Sequence, residues 1–341
     1  MFCDDPIIQK FRAASQDEHR VKEGGLRGLD RSFAGLEPDC RTAFTLLSYR
    51  APSNRRLTDG GTTMAPRSEI DLRAAINAVS DVVQNRPRPI RQFDQIYMKT
   101  GDMVLQSELV AHWANGKKLA FIGDGDAISV CVAYLQKREI IGYGPSEIAV
   151  FDFDERICGA VTRFADNERL DHLRAELYNC LDPFPGPTSF DCFYTNPPWG
   201  ASNQGESVKV FVQRGMEATA YAGEGMIVIA DDTELAWPKQ VLANVQKFAT
   251  GSGFFVQKMM PQLHLYHLDD APDLRSCNLI IKALPGDGVH ARSVAITDAE
   301  RLRHFYGRDN APKVRYVRES KRLDYGKAHD DEYSFEQWGE R

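Results

Sequence analysis

The sequence predicts an α/β fold built on a mostly parallel sheet, and three observations carry that expectation. Four short apolar runs, KLAFIGDG, EIAVFDFD, FDCFYTN and GMIVIADD, each end in Gly, Asp or Asn. Stretches with helical spacing follow them at 128–138, 157–165, 207–220 and 238–250. Near-continuous apolar strands alternating with helices are the pattern of a parallel sheet covered on both faces. Beyond them, GFFVQKMMPQLHLYH and RSCNLIIKAL flank the polar segment LDDAPDL and read as an antiparallel hairpin at the sheet edge.

Ahead of the sheet, residues 1–66 are polar, Gly-bearing and mixed in charge, which suits short helices and little strand. From Ser68 the run SEIDLRAAINAVSDVVQNR places Ile70, Leu72, Ala75, Ile76, Val79, Val82 and Val83 at mostly helical spacing. Ser68 is the expected cap, with Asp71 three residues on in a capping-box position. Pro87 and Pro89 must end this helix, because proline offers no N–H to the ladder. The Pro/Arg stretch therefore marks the expected boundary between a helical domain at 1–88 and a catalytic domain at 89–286. Residues 287–341 turn polar and charged and read as a peripheral, partly disordered extension.

Composition narrows the function. The chain has 341 residues, 43% hydrophobic and 26% charged, as in ordinary globular proteins. No apolar run approaches the roughly 20 residues that span a bilayer, and the acid-bearing N-terminus does not resemble a secretory signal, so a cytoplasmic location without membrane association is expected. Seven scattered cysteines, with no CxxC pair or Cys/His cluster, predict neither a disulfide frame nor a metal site. A net charge of −6 argues against a large nucleic-acid footprint and suits a small cationic or neutral amine substrate. A homodimer is left open.

In sheets of this kind, ligands bind at the carboxyl ends of the strands. The first strand ends in Gly123-Asp124-Gly125-Asp126, where two glycines let the backbone approach a ligand ahead of a helix N-terminus. The second ends in Asp152-Phe153-Asp154, and an acid there can accept both ribose hydroxyls of a nucleoside. No GxGxxG is present, and acids stand where a pyrophosphate would be repelled. A cationic nucleoside such as S-adenosylmethionine fits better than a dinucleotide.

The sharpest motif is Asn196-Pro197-Pro198-Trp199, directly after the apolar run FDCFYT. Two prolines fix the backbone, so the Asn side chain and nearby carbonyls are held rigidly to accept from an NH2 group, and Trp199 offers a stacking face. Here the chain resembles amino-group methyltransferases, whose fourth strand ends in an NPP- or DPP-aromatic motif. Across residues 93–284 a more specific resemblance runs through FDQIYMKTGDMV, LAFIGDGDAISV, VFDFDER, FDCFYTNPPW and VKVFVQRGMEA. These segments are similar to the branched-chain polyamine synthase family, which transfers aminopropyl groups from decarboxylated S-adenosylmethionine to polyamine nitrogens.

The resemblance implies a Rossmann-like class I methyltransferase fold, a seven-stranded mostly parallel sheet, with a small helical, winged-helix-like domain in front. It implies that Gly123, Gly125 and Asp152 hold the donor and Asp124 and Asp126 its charged arm, with Gln95, Asp154 and Asn179 alongside. Asn196, Pro197, Trp199, Glu206 and Asp231 would orient or deprotonate the amine, while His264, Tyr266 and His267 fall on the hairpin where the family contacts its substrate. The chain departs from the family at Asn196, where the family has an acid. An ammonium must lose a proton before its nitrogen attacks, and an amide cannot take that proton. Three readings stay open: transfer of an aminopropyl or related alkyl group from decarboxylated or intact S-adenosylmethionine to a polyamine-like amine, N-methylation of a base, amide or small amine, and an inactive binding module.

Overall fold

The computed structural model describes residues 70–186, 189–269, 271–286, 292–307, 312–321 and 332–339. Its elements are α1 (Leu72–Asn85), α2 (Thr100–Trp113), β1 (Lys118–Ile122), α3 (Ile128–Lys137), β2 (Glu147–Asp152), α4 (Glu155–Glu168) and β3 (Leu173–Leu177). There follow β4 (Cys192–Thr195), α5 (Glu206–Ala218), β5 (Glu224–Asp231), α6 (Ala236–Gly251), β6 (Phe254–Leu265) and β7 (Arg275–Ala283). A short helix α7 (Ala299–Leu302) and two strands, β8 (Val314–Glu319) and β9 (Tyr333–Gln337), complete the order.

The first seven strands form one sheet in the order β3-β2-β1-β4-β5-β7-β6. β1 to β5 are parallel throughout, and β7 runs antiparallel to both β5 and β6. The expected edge hairpin is present, with register shifts between Val256 and Lys258 and between Met260 and His264. The four apolar runs became β1, β2, β4 and β5, whose central residues are buried. β3 lacked such a run because it is an edge strand: in LRAEL only Leu173 is buried.

Alternation along the strands divides the two faces. Ala120 and Ile122 of β1 join Phe193, Ile227 and Ile229 in a core shared with Val208 and Val212 of α5 and Val241 and Val245 of α6. Phe121 points the other way and meets the Tyr194 ring at 4.8 Å. On that face Gln106 of α2 donates to Asn278 Oδ1 at 3.0 Å, and Asn278 returns a bond to Gln106 Oε1 at 2.7 Å. This reciprocal amide pair is fully buried, so each polar atom needs the other.

Three sequence expectations are corrected. The sheet-bearing body begins at Ile70, not 89, because α1 packs against α2, α3 and α4. The expected domain at 1–88 is thereby divided: residues 1–69 lie outside the described residues, and 70–88 belong to the sheet-bearing body. Within it, Asp71 caps α1, accepting from the Ala74 N–H at 3.0 Å, whereas Ser68 lies outside the described residues. Thirdly, the tail is not a loose extension throughout. β8 and β9 pair, and Val314 and Val317 bury against Ile90 and Phe93. The Val317 N–H donates to the Phe153 carbonyl at 3.1 Å, and Arg163 grips Glu319 through two bonds of 2.9 Å. The tail's charges thus pair with specific partners, information that composition does not hold.

Packing is tight around the Phe193 ring, which lies between Gly225 of β5 and Gly215 of α5; a Cβ built on either glycine would overlap the ring. Exchanging Gly for Ala in a helix ordinarily gains up to about 1 kcal/mol. Here overpacking outweighs it, and Gly215→Ala should lower stability by roughly 1–3 kcal/mol, read as an earlier denaturant midpoint at unchanged slope.

Candidate active site

A cleft opens where β1, β2 and β4 end, and the segment 93–97 closes its other side. At the end of β1, Gly123 takes φ +75, and a Cβ there would come within 3.2 Å of Phe211 and 4.0 Å of the Asp152 carboxylate. Glycine is therefore favoured both by the left-handed backbone and by the closeness of the Phe211 ring. The turn is held by Gly123 N–H donating to Phe151 O at 2.8 Å and Asp124 N–H donating to Asp152 Oδ2 at 2.9 Å.

Three carboxylates line the cleft. Asp152 accepts the N–H of Asp124 and, at 2.9 Å, that of Asp154. Burial, together with the charge of Asp154, pushes its carboxyl up to about 7. Asp126 accepts the Met98 N–H at 2.7 Å and the Asn196 Nδ2–H at 2.7 Å. Burial raises it as well, while Arg86 opposes the rise. The guanidinium of Arg86 lies 4.0 Å from Asp126 Oδ1, donates to the Asp126 carbonyl at 3.1 Å and covers the Tyr97 ring at 4.1 Å. Asp94, in the left-handed region at φ 58, accepts the Trp199 N–H; burial raises its carboxyl to about 6, against the pull of Arg91 and that hydrogen bond.

Of the residues expected from sequence, Gly123, Gly125, Asp126, Asp152, Gln95, Asn196, Pro197 and Trp199 come together on this cleft. Gln95 is also structural, accepting the Ile90 N–H at 2.7 Å and donating to Asp154 at 3.2 Å. Trp199 is buried and meets the Tyr266 ring edge-on at 5.0 Å.

Five expected residues are committed elsewhere. Asp124 caps α3, accepting from the N–H groups of Ile128 and Ser129 and the Ser129 hydroxyl. Asp154 caps α4 and holds the buried Arg156 guanidinium at 2.6 Å. Asn179 donates to the Arg315 carbonyl at 2.6 Å and accepts the Leu181 N–H at 2.9 Å, tying β8 to the body. Glu206 pairs with Lys209 at 2.5 Å and Arg301 at 3.5 Å on a separate surface hollow. Asp231 accepts the Gln262 N–H at 2.8 Å and so braces the bulge in β6. Its neighbour Asp232 accepts the N–H groups of Glu234 and Leu235 at 2.8 Å each. In each case a nearby backbone donor or cation claims the side chain, a competition that spacing does not reveal.

Residues not expected also reach the cleft. Asp94 and Tyr97 come from the family-like segment FDQIYMKTGDMV, and Tyr306 from the tail. Tyr266, on the hairpin as anticipated, lines it too. Phe93 binds these parts together, meeting Phe153, Tyr306 and Phe335 edge-on at 5.1, 5.3 and 5.5 Å. The acid at Asp94, flanked by Phe93 and Gln95, was the available signal.

Strand order and the placement of the cleft at the switch between β1 and β4 define the class: a protein of the Rossmann-like class I methyltransferase fold. A family model described as the C-terminal domain of branched-chain polyamine synthase A matches residues 74–337, and the chain belongs to that family. Among curated relatives, an uncharacterised protein of Methanocaldococcus jannaschii is 25% identical over 328 residues, covering 95% of this chain and 75% of that one. The N(4)-bis(aminopropyl)spermidine synthase of Thermococcus kodakarensis is 28% identical over 140 residues, 40% of this chain and 37% of that protein. The crystal structure of the branched-chain polyamine synthase from Thermus thermophilus, in complex with N4-aminopropylspermidine and 5'-methylthioadenosine, shares the fold at a TM-score of 0.53. Identity to it is 22%, covering 67% of this chain and 69% of that one. Among the described residues no helix is long and apolar enough to cross a membrane, and no cluster of side chains suits a metal ion.

The raised carboxyls set a pH dependence. Asp94 and Asp152 are largely protonated below pH 5 and ionise on the way to pH 8, so the cleft gains negative charge over that interval. Affinity for a small organic cation such as spermidine should rise about tenfold from pH 5 to pH 8, with proton release visible as a buffer-dependent binding heat. A flat profile would place both groups in their ordinary range.

Proposed function

We propose that this chain transfers an aminopropyl group from decarboxylated S-adenosylmethionine to a nitrogen of a polyamine. One observation carries the reading: among the described residues lining the cleft there are three carboxylates, Asp94, Asp126 and Asp152, and no lysine, arginine or histidine. A donor that kept its α-carboxylate would bring a further negative charge among these acids with no cation to receive it. The decarboxylated donor and a polyamine are both cations, and both suit the cleft. The relatives whose names specify polyamine synthesis agree with this choice.

The glycine turn and Asp152 would receive the nucleoside, with Asp152 accepting ribose hydroxyls through the lone pairs its two N–H partners leave. Asn196 and Asp126 then divide the work that a single acid was expected to do. The Asn196 amide nitrogen is engaged by Asp126, so its carbonyl oxygen is the acceptor that aims the substrate N–H. Asp126 takes the proton. The amine lone pair attacks the methylene next to the sulfonium, a C–N bond forms as the C–S bond breaks, and 5'-methylthioadenosine leaves as the neutral thioether. Orientation and exclusion of water by Trp199, Tyr266 and Phe93 supply much of the acceleration. Asp94 adds a second anionic point for the other nitrogens of a polycation.

The test compares the two donors by calorimetry on the full chain. The decarboxylated form should bind at least tenfold tighter, a difference of about 1.4 kcal/mol. A preference for intact S-adenosylmethionine would overturn the reading in favour of methyl transfer, and binding of neither would leave a non-catalytic module. Asp126→Asn should lower kcat by roughly 10²–10⁴, the usual range for a lost general base, while donor affinity changes less than threefold.

A further inference from the structure

Behind Asn196 a line of polar side chains runs away from the cleft into the protein. Asn196 Nδ2 faces the Tyr266 hydroxyl at 3.5 Å, a long contact beside its shorter bond to Asp126. The Tyr266 hydroxyl meets the Ser276 Oγ at 2.9 Å, and that oxygen meets His264 Nδ1 at 2.9 Å. Tyr266, Ser276 and His264 are all buried, and His264 Nε2 has no partner among the described residues. Burial alone lowers the imidazole to about 3, so it is neutral in this fold. The reaction described above uses none of these three beyond the face of Tyr266.

We propose that His264, Ser276 and Tyr266 form a positioning relay that fixes which end of the Asn196 amide faces the substrate. The inference rests on the transfer reading, in which the amide oxygen receives the amine. Each hydroxyl carries one proton and donates once, so the direction of the whole line follows from one choice at its far end. When His264 Nδ1 is bare it accepts from Ser276. Ser276 then accepts from Tyr266, and the lone pairs of Tyr266 face Asn196. Asp126, when ionised, can also only accept. Both neighbours then demand the amide NH2, and the carbonyl oxygen is left for the substrate N–H.

The opposite direction fails at Asn196. A proton on His264 Nδ1 would turn Ser276 toward Tyr266 and Tyr266 toward Asn196. The phenol would then call for the amide oxygen while Asp126 still calls for the nitrogen. One of the two bonds would be lost, or the amide would turn and offer N–H groups to a substrate that itself donates. A buried histidine three links from the Asn196 amide thus selects an acceptor over a donor in the cleft. Polyamine nitrogens, as ammonium or as amine, present N–H, and the selected state is the one that receives them.

The test has two readouts on the full chain. In ¹⁵N-resolved spectra, His264 should be neutral with its proton on Nε2 from pH 5 to 8, and should lose that single tautomer in Ser276→Ala. A proton on Nδ1, or a charged ring, overturns the relay. Kinetically, Ser276→Ala should lower kcat about tenfold with donor affinity within twofold, and Ser276→Thr, which keeps the hydroxyl, should restore it. An unchanged kcat in Ser276→Ala, or no recovery in Ser276→Thr, also overturns it. Should Ser276→Ala fail to fold, the tautomer of the native protein decides alone. If the native protein transfers nothing to any polyamine, the transfer reading fails, and the tautomer still decides whether the relay is set.

Discussion

Two buried carboxylates, Asp126 and Asp152, with the half-buried Asp94 facing them across the cleft, cannot stay together unless each is held by donors built into the backbone. That need organises the structure around the cleft. Asp152 is held by N–H groups of its own turn and of the turn after β1, Asp126 by Met98, and Asp94 by Trp199. Apart from the local bond from the Asp154 N–H, these bonds cross between segments distant in sequence, so the acids pin the loop ahead of the sheet to the loops that end β1 and β4. Desolvation disfavours the charged carboxylates, and the backbone dipoles recover part of that cost. What remains unrecovered is an attraction for cations. The same strain that weakens the empty cleft selects what enters it.

The exchange of an acid for Asn196 looks, in sequence, like the loss of the group that removes a proton. In the proposed reaction that function has a second holder. Asp126 reaches the NPPW loop from the end of the β1 turn and bonds the amide directly. In the proposed transfer, proton acceptance and substrate aiming are separated onto two adjacent side chains. Arg86 sits beyond, near enough to favour the charged form of Asp126 and shielded from the cleft by Tyr97, whose ring it covers. A cation placed there adjusts the acid without competing with the cationic substrate of the proposed reaction.

Much of the sheet was readable because its central strands are buried on both faces and so carry continuous apolar runs. Glycine at 123 and the acid at 152 were readable because backbone approach and strand-end chemistry leave a mark on residue type. β3 and β8 were not, since a half-covered strand such as LRAEL or VRYVRE has no such mark. Assigning acids one by one was least secure. Asp124, Asp126, Asp152 and Asp154 are chemically alike and close in sequence to the same turns, yet two line the cleft and two cap helices. Which backbone donors lie within reach of each side chain decides between those uses, and spacing does not encode it. Asp94 was overlooked for the converse reason, standing outside the strand ends where ligands are expected.

The docking of β8 onto Phe153 and α4 joins residues more than 150 positions apart. Loop-closure entropy grows only slowly with such a span, so the contact is affordable in equilibrium terms, but its timing is fixed by translation. The ribosome releases the whole seven-stranded sheet before Val314 to Gln337 emerge, an interval of seconds at ordinary elongation rates. During it Phe93 lacks Phe335 and Tyr306 gains its last neighbours only afterwards. The residues that line the cleft thus emerge before the β8–β9 layer that packs behind Phe93 and Phe153, which is the last part of this body the nascent chain supplies.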